Sequence, residues 1–550
     1  MASPEQLAAV ARLLSSGAWH QAEAAAQATL ADDPADPEAL RMLGLAVAAM
    51  GESDRAAPIL NQAATGRSQP DHPCADFARL RPPLPRTLVA RQFRACMRLA
   101  PDDDALRLGF ASFLLDNGQP GEAERILQDR PDSAAGHHLR GLAQAELNRF
   151  VAAAESFHRA VTLNPDAAPS WSNLGMVLKI EGRFDEAIAA HDRAVVIGGG
   201  DPRHLVNRAV ALLKAGRWTE AWTDYEARLD LAEVPLVEPG RLMPSLNPGD
   251  RLTGMTILAL HEDGFGDTLQ FLRYIPLLAA RGARVVAFVP RPLARLMAAA
   301  PGVAAVVTDR RRLPAHDLVC PMFSLPRVFG TTVASIPAVP EVAMDPNLLR
   351  HWAGRLPLGD LRVGLVWAGQ ARPSLPGFGT LDRRRSAGLA AFQPVLDVPG
   401  VTFVSLQAGP AARQTLPPGA EIFDPMSEVT DFADTAAIIA ALDLVISVDT
   451  SVVHLAGLLG KPVFLLDRYD GCWRWLSGRR DSPWYPGLTI FRQDQPGDWP
   501  GAMARAAASL EAMAIFRGLG TPPRRHAGVC VRRLTVAPIA WTQSERCHLR

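Results

Sequence analysis

A carboxylate follows two glycines in HEDGFGDTLQF, residues 261–271. The apolar run MTILALH precedes this stretch, so the pattern predicts a strand, a turn at Glu262 to Gly266 and then a helix. The turn is not GxGxxG and lacks the lysine of a phosphate-binding loop, which argues against dinucleotide and NTPase sites. Asp267 can act as a general base towards an acceptor hydroxyl, and the helix dipole is expected to lower its pKa. It can equally be the helix N-cap, and both roles stay open.

A second turn has the chemistry of a phosphate site. LVISVDTSVVHLAGLLGKPVFLL predicts a strand, a turn at Asp449 and Thr450, and a helix from Ser451. Free amides at a helix N-terminus attract phosphate, and the hydroxyls of Thr450 and Ser451 add donors. His454, one helical turn later, can donate to a diphosphate, while Asp449 can accept from a sugar hydroxyl. Alternatively, Asp449 and Thr450 only cap the helix and His454 is a core histidine.

Short apolar runs alternating with helices surround both turns from about residue 255 onwards. Runs such as ARVVAFV, RVGLVWAG and VTFVSLQ predict buried parallel strands covered by helices on both faces. A strand-poor stretch, residues 329–362, separates two such groups, which we place at 250–345 and 360–512. Two doubly wound domains place a cleft at the carboxyl ends of their strands, so both turns are expected there.

The first 235 residues repeat with a different period. NRF, GRF and GRW, at residues 148–150, 182–184 and 216–218, are 34 residues apart, which is the tetratricopeptide period. We predict about six to seven helical pairs, with a degenerate repeat near 65–100 and the last pair ending at about Leu229. Such an array is either a packed solenoid alone or a groove for a protein or peptide partner, which we favour.

Composition excludes several classes. The 57 basic and 57 acidic residues balance, so no field favours nucleic acid. The six cysteines lack the spacing of a zinc site or a disulfide framework, and a reducing cytoplasm is expected. No secretion signal or membrane-spanning run is evident at the sequence level. The basic segment 520–550 lacks periodicity and is expected to be a disordered tail.

Taken in order, these motifs resemble glycosyltransferase family 9, the heptosyltransferases. GFGDTLQF and SVDTSVVHLAG..GKP carry the resemblance, together with VGLVWAG, the DRRRS of residues 382–386, VSLQAG, DFADTAAIIAALDLVISVD and DSPWYPGLTIFRQDQPGDW. They span about residues 255–510. Bacterial proteins that join tetratricopeptide repeats to such a domain are similar over about nine tenths of the chain.

The resemblance implies a GT-B fold and an inverting, metal-independent transfer from a nucleotide-diphospho-sugar, with no cofactor. It makes Asp267 the catalytic base. Arg385 stands near the family's basic residue that neutralises the leaving diphosphate, with Arg384 as the register alternative; such a cation stabilises the transition state selectively. The implied donor-binding residues are Arg385, Asp449, Thr450, Ser451 and His454, and further possible site residues are Gly264, Gly266, Arg384 and Lys461.

Three departures bear on the acceptor. Ser451 replaces the family's glycine, PSLPGFGTLD enlarges a loop, and basic residues that hold the phosphorylated core of lipopolysaccharide are not recognisable. The fusion to repeats favours a protein acceptor, by analogy with the O-GlcNAc transferases. Two alternatives are a lipopolysaccharide or polysaccharide glycosyltransferase, and a non-catalytic scaffold or sensor with a degenerate transferase-like domain.

Overall fold

A computed structural model describes residues 3–65, 86–99, 102–128, 132–232, 237–238, 240–370 and 378–516. In the first part of the chain these residues form helices that pack against their sequence neighbours. They are α1 (Pro4–Ser15), α2 (Trp19–Asp32), α3 (Pro37–Ala49), α4 (Ser53–Thr65), α5 (Arg86–Leu99), α6 (Asp104–Asp116), α7 (Pro120–Leu127), α8 (Ala134–Glu146), α9 (Phe150–Leu163), α10 (Ala168–Ile180), α11 (Phe184–Ile197), α12 (Pro202–Lys214) and α13 (Trp218–Tyr225).

The 34-residue motif marks the turn inside each helical pair. Asn148, Gly182 and Gly216 have left-handed backbones, with φ of 61°, 78° and 82°. Glycine adopts this conformation without strain and asparagine tolerates it, which explains why these two residue types occupy the position. The aromatic residue two positions later, Phe150 or Trp218, then begins the second helix of its pair.

The end of the repeat array differs from the prediction. The last helix ends at Tyr225 rather than near Leu229, because the chain tightens into a 3₁₀ segment, Glu226–Leu231, whose Arg228 pairs with Glu226 and Glu262 at 2.8 Å each. The degenerate repeat near 65–100 lies largely outside the described residues. The predicted tail at 520–550 lies outside them as well.

The first sheet has four parallel strands in the order β3-β2-β1-β4. They are β1 (Thr256–Leu260), β2 (Arg284–Phe288), β3 (Val303–Val307) and β4 (Leu318–Pro321). The helices around it are α14 (Phe265–Phe271), α15 (Ile275–Ala280), α16 (Arg291–Ala298) and α17 (Leu325–Val328), and α18 (Pro346–Arg355) leads to the second sheet.

The second sheet has six parallel strands in the order β10-β9-β8-β5-β6-β7. They are β5 (Arg362–Val366), β6 (Thr402–Ser405), β7 (Ile422–Phe423), β8 (Leu444–Val448), β9 (Val463–Asp467) and β10 (Leu488–Arg492). Its helices are α19 (Phe378–Arg385), α20 (Gln393–Leu396), α21 (Phe432–Ala440), α22 (Ser451–Leu458) and α23 (Trp499–Phe516). The predicted fold class, a helical solenoid followed by two parallel sheets in a GT-B-like arrangement, is confirmed.

Both predicted turns lie where the strand order reverses. In the first sheet this point falls between β1 and β4, and α14 follows β1 directly. In the second it falls between β5 and β8, and α22 follows β8 directly. Ligands of open α/β sheets bind at such points, beyond the carboxyl ends of the strands.

One hydrophobic core joins the end of the solenoid to both sheets. It contains Trp218 and Trp222 of α13, Ile257 of β1, and Val445 and Leu465 of the second sheet. The solenoid is therefore packed onto the α/β region as part of one folded unit. None of the helices in the described part of the chain has the length and hydropathy needed to cross a membrane.

Candidate active site

The turn after β1 is anchored on the last repeat. Glu262 accepts hydrogen bonds from Arg228 Nη2 at 2.8 Å and from the Phe323 amide at 2.9 Å. His261 Nδ1 lies 2.7 Å from Thr268 Oγ1. These contacts hold both ends of a turn whose middle residue, Asp263, has a left-handed backbone with φ of 57°.

Asp267 is the third residue of α14 and not its N-cap, which corrects one of the predicted roles. The N-cap is Gly264, whose amide donates to Asp267 Oδ2 at 3.0 Å. Burial raises the pKa of Asp267 above the ordinary value of 3.8, so the predicted lowering by the helix dipole is wrong in sign. Burial disfavours the charged form more than the neighbouring cation and the Gly264 amide favour it.

The neighbouring cation is Arg474, which sequence reasoning missed. It lies in a 3₁₀ segment, Trp473–Trp475, of the second α/β half, and its Nη2 contacts Asp267 Oδ1. Its Nε donates to Gln270 Oε1 at 2.6 Å, and its guanidinium lies 4.6 Å from the Trp473 ring centroid. The candidate base in the first half is thus oriented by an arginine from the second.

The N-terminus of α22 has the geometry predicted for it. Thr450 is the N-cap and its side chain makes no capping bond to the helix; its hydroxyl lies 3.2 Å from that of Ser447. Asp449 directly precedes it, at the carboxyl end of β8, and is partly exposed. The helix amides and the hydroxyls of Thr450 and Ser451 are donors that an anion can use.

The two helices that follow the turns touch each other at Gly266. A Cβ built there would lie 2.8 Å from His454 Cδ2 and 3.2 Å from Ser451 Cα. Only glycine permits this approach without displacing backbone. The helix bearing Asp267 is therefore in direct contact with the helix whose N-terminus is the candidate phosphate site.

His454 is buried in this contact, with 4% of its surface exposed. Its Nδ1 lies 3.0 Å from the Tyr485 hydroxyl, and its ring stacks on Trp475 at 5.4 Å. Burial lowers the pKa of His454 well below 6.5. Of the two predicted protonation states, the structure supports the neutral imidazole.

The two candidate arginines point in different directions. Arg385 lies against Gly369, just beyond β5; it pairs with Asp382 at 2.9 Å and donates to the Gln370 carbonyl at 3.0 Å. Arg384 instead donates to the Ala145 carbonyl of α8 at 2.5 Å. The arginine beside the second point of strand reversal is therefore Arg385.

Lys461 is remote from both turns. Its ammonium donates to the carbonyls of Ala440 and Leu442, at 2.6 and 2.9 Å. These carbonyls follow the end of α21, where a cation interacts favourably with the helix dipole. The structure thus gives Lys461 a structural role.

The solenoid also holds the loop that carries Arg474. Lys214, at the end of α12, donates to the carbonyls of Gly471, Cys472 and Leu476 at 2.7, 3.1 and 3.0 Å. Trp218 stacks on Trp484, with ring centroids 5.3 Å apart. Two contacts from the repeats therefore reach the candidate site, one through Glu262 and one through Arg474.

The repeat array and the two parallel sheets define the class of the protein. A family model of tetratricopeptide repeats matches residues 7–73, 108–168 and 138–202. The chain therefore carries tetratricopeptide repeats, as predicted, followed by an α/β region with two parallel sheets.

The chain is also similar to particular proteins. Protein FlbA of Caulobacter vibrioides is 28% identical over 497 residues, which cover 76% of this chain and 80% of FlbA. ADP-heptose lps heptosyltransferase II of E. coli is 13% identical, with 48% of this chain and 100% of the enzyme covered and a TM-score of 0.35. A glycosyl transferase family 9 protein of Veillonella parvula is 11% identical, with coverages of 48% and 98% and a TM-score of 0.36.

Proposed function

We propose that this protein is a glycosyltransferase that moves a sugar from a nucleotide-diphospho-sugar to an acceptor hydroxyl. The observation that carries the proposal is the contact of α14 with α22. It brings a carboxylate, that of Asp267, whose side chain is 18% exposed, and a helix N-terminus without a side-chain cap, at Thr450, together between two points of strand reversal. A base and an anion site in one cleft are what such a transfer requires.

The donor's diphosphate lies at the N-terminus of α22. The helix amides and the hydroxyls of Thr450 and Ser451 donate to the phosphate oxygens, and Asp449 accepts from a sugar hydroxyl. Arg385 supplies a cation to the diphosphate as it leaves. The interactions with the diphosphate strengthen as negative charge develops on the leaving group, so they lower the barrier selectively, whereas Asp449 orients the sugar.

Asp267 removes the proton of the acceptor hydroxyl. The acceptor oxygen attacks the anomeric carbon, the bond from that carbon to the diphosphate oxygen breaks, and the nucleoside diphosphate departs with the electron pair. A single displacement of this kind inverts the anomeric configuration. The raised pKa of Asp267 makes its carboxylate a stronger base than an exposed aspartate.

The acceptor is a polypeptide that the repeats recruit. Stacked helical pairs form an extended concave surface, which such arrays use to bind proteins. In this chain the array is packed onto the α/β region through Trp218 and Lys214, so a bound polypeptide is held in a fixed relation to the cleft. No metal or other cofactor is part of the proposed reaction.

The test is a product analysis with the full chain. Purified protein is incubated with a panel of nucleotide-diphospho-sugars and a lysate of a bacterium that encodes it, and the products are read by mass spectrometry. We expect a polypeptide whose mass increases by one glycosyl residue, with release of an equal amount of nucleoside diphosphate. Absence of transfer from every donor, with the donors shown to be intact, contradicts the proposal.

A second candidate is a binding scaffold, and one observation favours it. Both oxygens of Asp267 already have partners, Arg474 and the Gly264 amide. In a scaffold this pair only joins the two halves, and nucleotide sugars bind without turnover or do not bind. Calorimetry separates the two candidates, because a transferase binds at least one donor and consumes it.

A further inference from the structure

A cavity of about 220 Å³ lies at the junction between the solenoid and the second sheet. Its walls are the turn between α8 and α9 and the loops that follow β9 and β10, with Phe150, Tyr469 and Trp499 among the lining residues. This volume is below the roughly 300–1,000 Å³ of drug-sized ligand sites, so the cavity suits a single small ring. In the second sheet the strand order reverses between β5 and β8, and β9 and β10 lie on the far side of β8. The cavity is therefore displaced from the point of strand reversal.

Three buried polar atoms in its lining have no hydrogen-bond partner among the described residues. They are Asn148 Oδ1, Arg384 Nε and Gln493 Nε2. Gln493 is only 4% exposed, and its Oε1 accepts from the amides of Tyr469 and Gly497 at 3.1 and 3.0 Å. These two bonds fix the orientation of the side-chain amide, so its Nε2, a hydrogen-bond donor, has no partner. Unsatisfied buried donors and acceptors are rare, and they point to a ligand or to water.

The cavity lining carries three arginines and two carboxylates, and the surplus cation, Arg383, is largely exposed to solvent. Arg468 pairs with Asp470 at 2.8 Å, Arg384 approaches the same carboxylate at 3.5 Å, and Arg383 lies 3.9 Å from Glu146. A bound anion has to compete with two carboxylates for these arginines. The electrostatics therefore favour a neutral ligand.

Aromatic surface completes the lining. Phe150 is only 4% exposed and its ring is nearly parallel to that of Tyr469, with 5° between their planes and 6.2 Å between centroids, so the aromatic surface open to a ligand is that of Tyr469 and Trp499. A neutral ligand for this cavity needs an apolar face to pack on the aromatic rings. It also needs a hydrogen-bond donor for Asn148 Oδ1 and acceptors for Arg384 Nε and Gln493 Nε2. Hydroxyl groups do both at one atom, and a sugar ring combines several of them with a C–H face.

We propose that this junction pocket is a saccharide-binding site, distinct from the candidate active site and formed jointly by the repeats and the second α/β half. One sugar ring stacks on the aromatic lining, and its hydroxyls donate to Asn148 Oδ1 and accept from Gln493 Nε2 and Arg384 Nε. The site does not depend on the proposed transfer reaction. Because a repeat turn supplies one wall, glycan binding here also stabilises the contact between solenoid and α/β region.

Two variants remove the proposed contacts and preserve the fold. Asn148→Gly deletes the amide and keeps a left-handed turn, which Gly182 and Gly216 form at the equivalent positions. Gln493→Glu keeps the oxygen that accepts from Tyr469 and Gly497 and replaces the unpartnered donor. Asn164→Gly, in an exposed turn away from the pocket, is the matched control.

The experiment is saturation-transfer NMR on the full chain with free hexoses, N-acetylhexosamines and nucleosides. We expect at least one sugar to bind, Asn148→Gly and Gln493→Glu to weaken it about three- to tenfold each, and Asn164→Gly to leave it unchanged. Thermal melting checks that each variant is folded. The proposal is overturned if no sugar binds, if only nucleosides bind, or if binding is lost in Asp449→Asn but retained in both pocket variants.

Discussion

Asp267 is largely buried beside Arg474, and burial and the neighbouring cation have opposite effects on its pKa. Burial raises the pKa and the arginine lowers it, with burial dominant. A base with a raised pKa is protonated at a higher pH than an ordinary aspartate. We therefore expect the transfer rate to fall as the pH drops through this raised value, so that the acidic limb of the pH–rate profile lies above pH 3.8.

Arg474 is a positioning residue, and its removal changes the pH profile. Arg474→Met deletes the cation that lowers the pKa of Asp267, so the acidic limb moves to higher pH and kcat falls. Arg474→Lys keeps a positive charge, so we expect the acidic limb of its pH–rate profile to lie close to that of the unmodified protein. The lysine lacks the planar guanidinium whose Nε also donates to Gln270. If Arg474→Met lowers kcat without moving the limb, the arginine acts on packing and not on the carboxylate.

Sequence reasoning predicted Asp267 as a candidate base and did not predict its partner Arg474, for a physical reason. Asp267 has a local signal, since a glycine turn and an apolar run surround it. Arg474 lies 207 positions away in the sequence and meets Asp267 only when the two halves pack. Its neighbours Trp473 and Trp475 indicate a buried segment, but they do not say which carboxylate is opposite.

At the level of helices, Gly266 sets how closely α14 and α22 approach. Gly266→Ala places a methyl group against the backbone of Ser451 and the ring of His454, which Tyr485 and Trp475 hold in place. Overpacking of this kind costs about 1–3 kcal/mol, and we expect the free energy of unfolding to fall by that amount.

The matched control is Gly354→Ala, in α18, where an added Cβ meets nothing within 4 Å. Alanine is the better helix former, so this variant is expected to be neutral or slightly more stable. Chemical denaturation of both variants measures the difference. Equal stabilities for Gly266→Ala and the unmodified protein mean that the helices are not in tight contact.

The strands were largely predictable, and the two that were not have identifiable causes. Buried parallel strands appear as continuous apolar runs, which is why β1 to β6, β8 and β9 stand out. β7 has only two residues, Ile422 and Phe423. β10 ends the sheet, and its last residue is a charged one, Arg492, which is tolerated there because it pairs with the fully buried Asp467 at 2.8 Å. Such a partner is invisible before the strands are paired.

For the molecule as a whole, the last repeat of the solenoid and the α/β region are expected to unfold together. Trp218 belongs to the core that joins them and stacks on Trp484. Trp218→Ala opens that core and is expected to reduce the free energy of unfolding by about 3–5 kcal/mol. Probes in the last repeat and probes in the sheets should report the same loss of unfolding free energy.

Trp19→Ala is the matched control, because Trp19 packs against the separate core of the first repeats. It should destabilise the N-terminal end with little effect on the α/β region, since distant repeats are coupled only through their neighbours. Hydrogen exchange followed by mass spectrometry resolves the two regions. If Trp218→Ala leaves the exchange of the α/β region unchanged, the two parts are independent domains.

The solenoid's contribution to the candidate site was not predictable from the repeats alone. The 34-residue period predicts a groove, and it does not predict that Lys214 holds the loop of Arg474 or that Arg228 anchors the turn before Asp267. These contacts join residues 34 to 257 positions apart. The repeats therefore hold residues of the candidate site in place.

The decisive measurement compares Asp267→Asn with the unmodified protein, using the donor that gives transfer. Asparagine keeps the size of the side chain and an oxygen for the Gly264 amide, and it cannot take the acceptor's proton. We predict that donor affinity stays within about threefold while kcat falls by about 10²–10⁴. Undiminished transfer by a folded Asp267→Asn variant would contradict the assignment of Asp267 as the base.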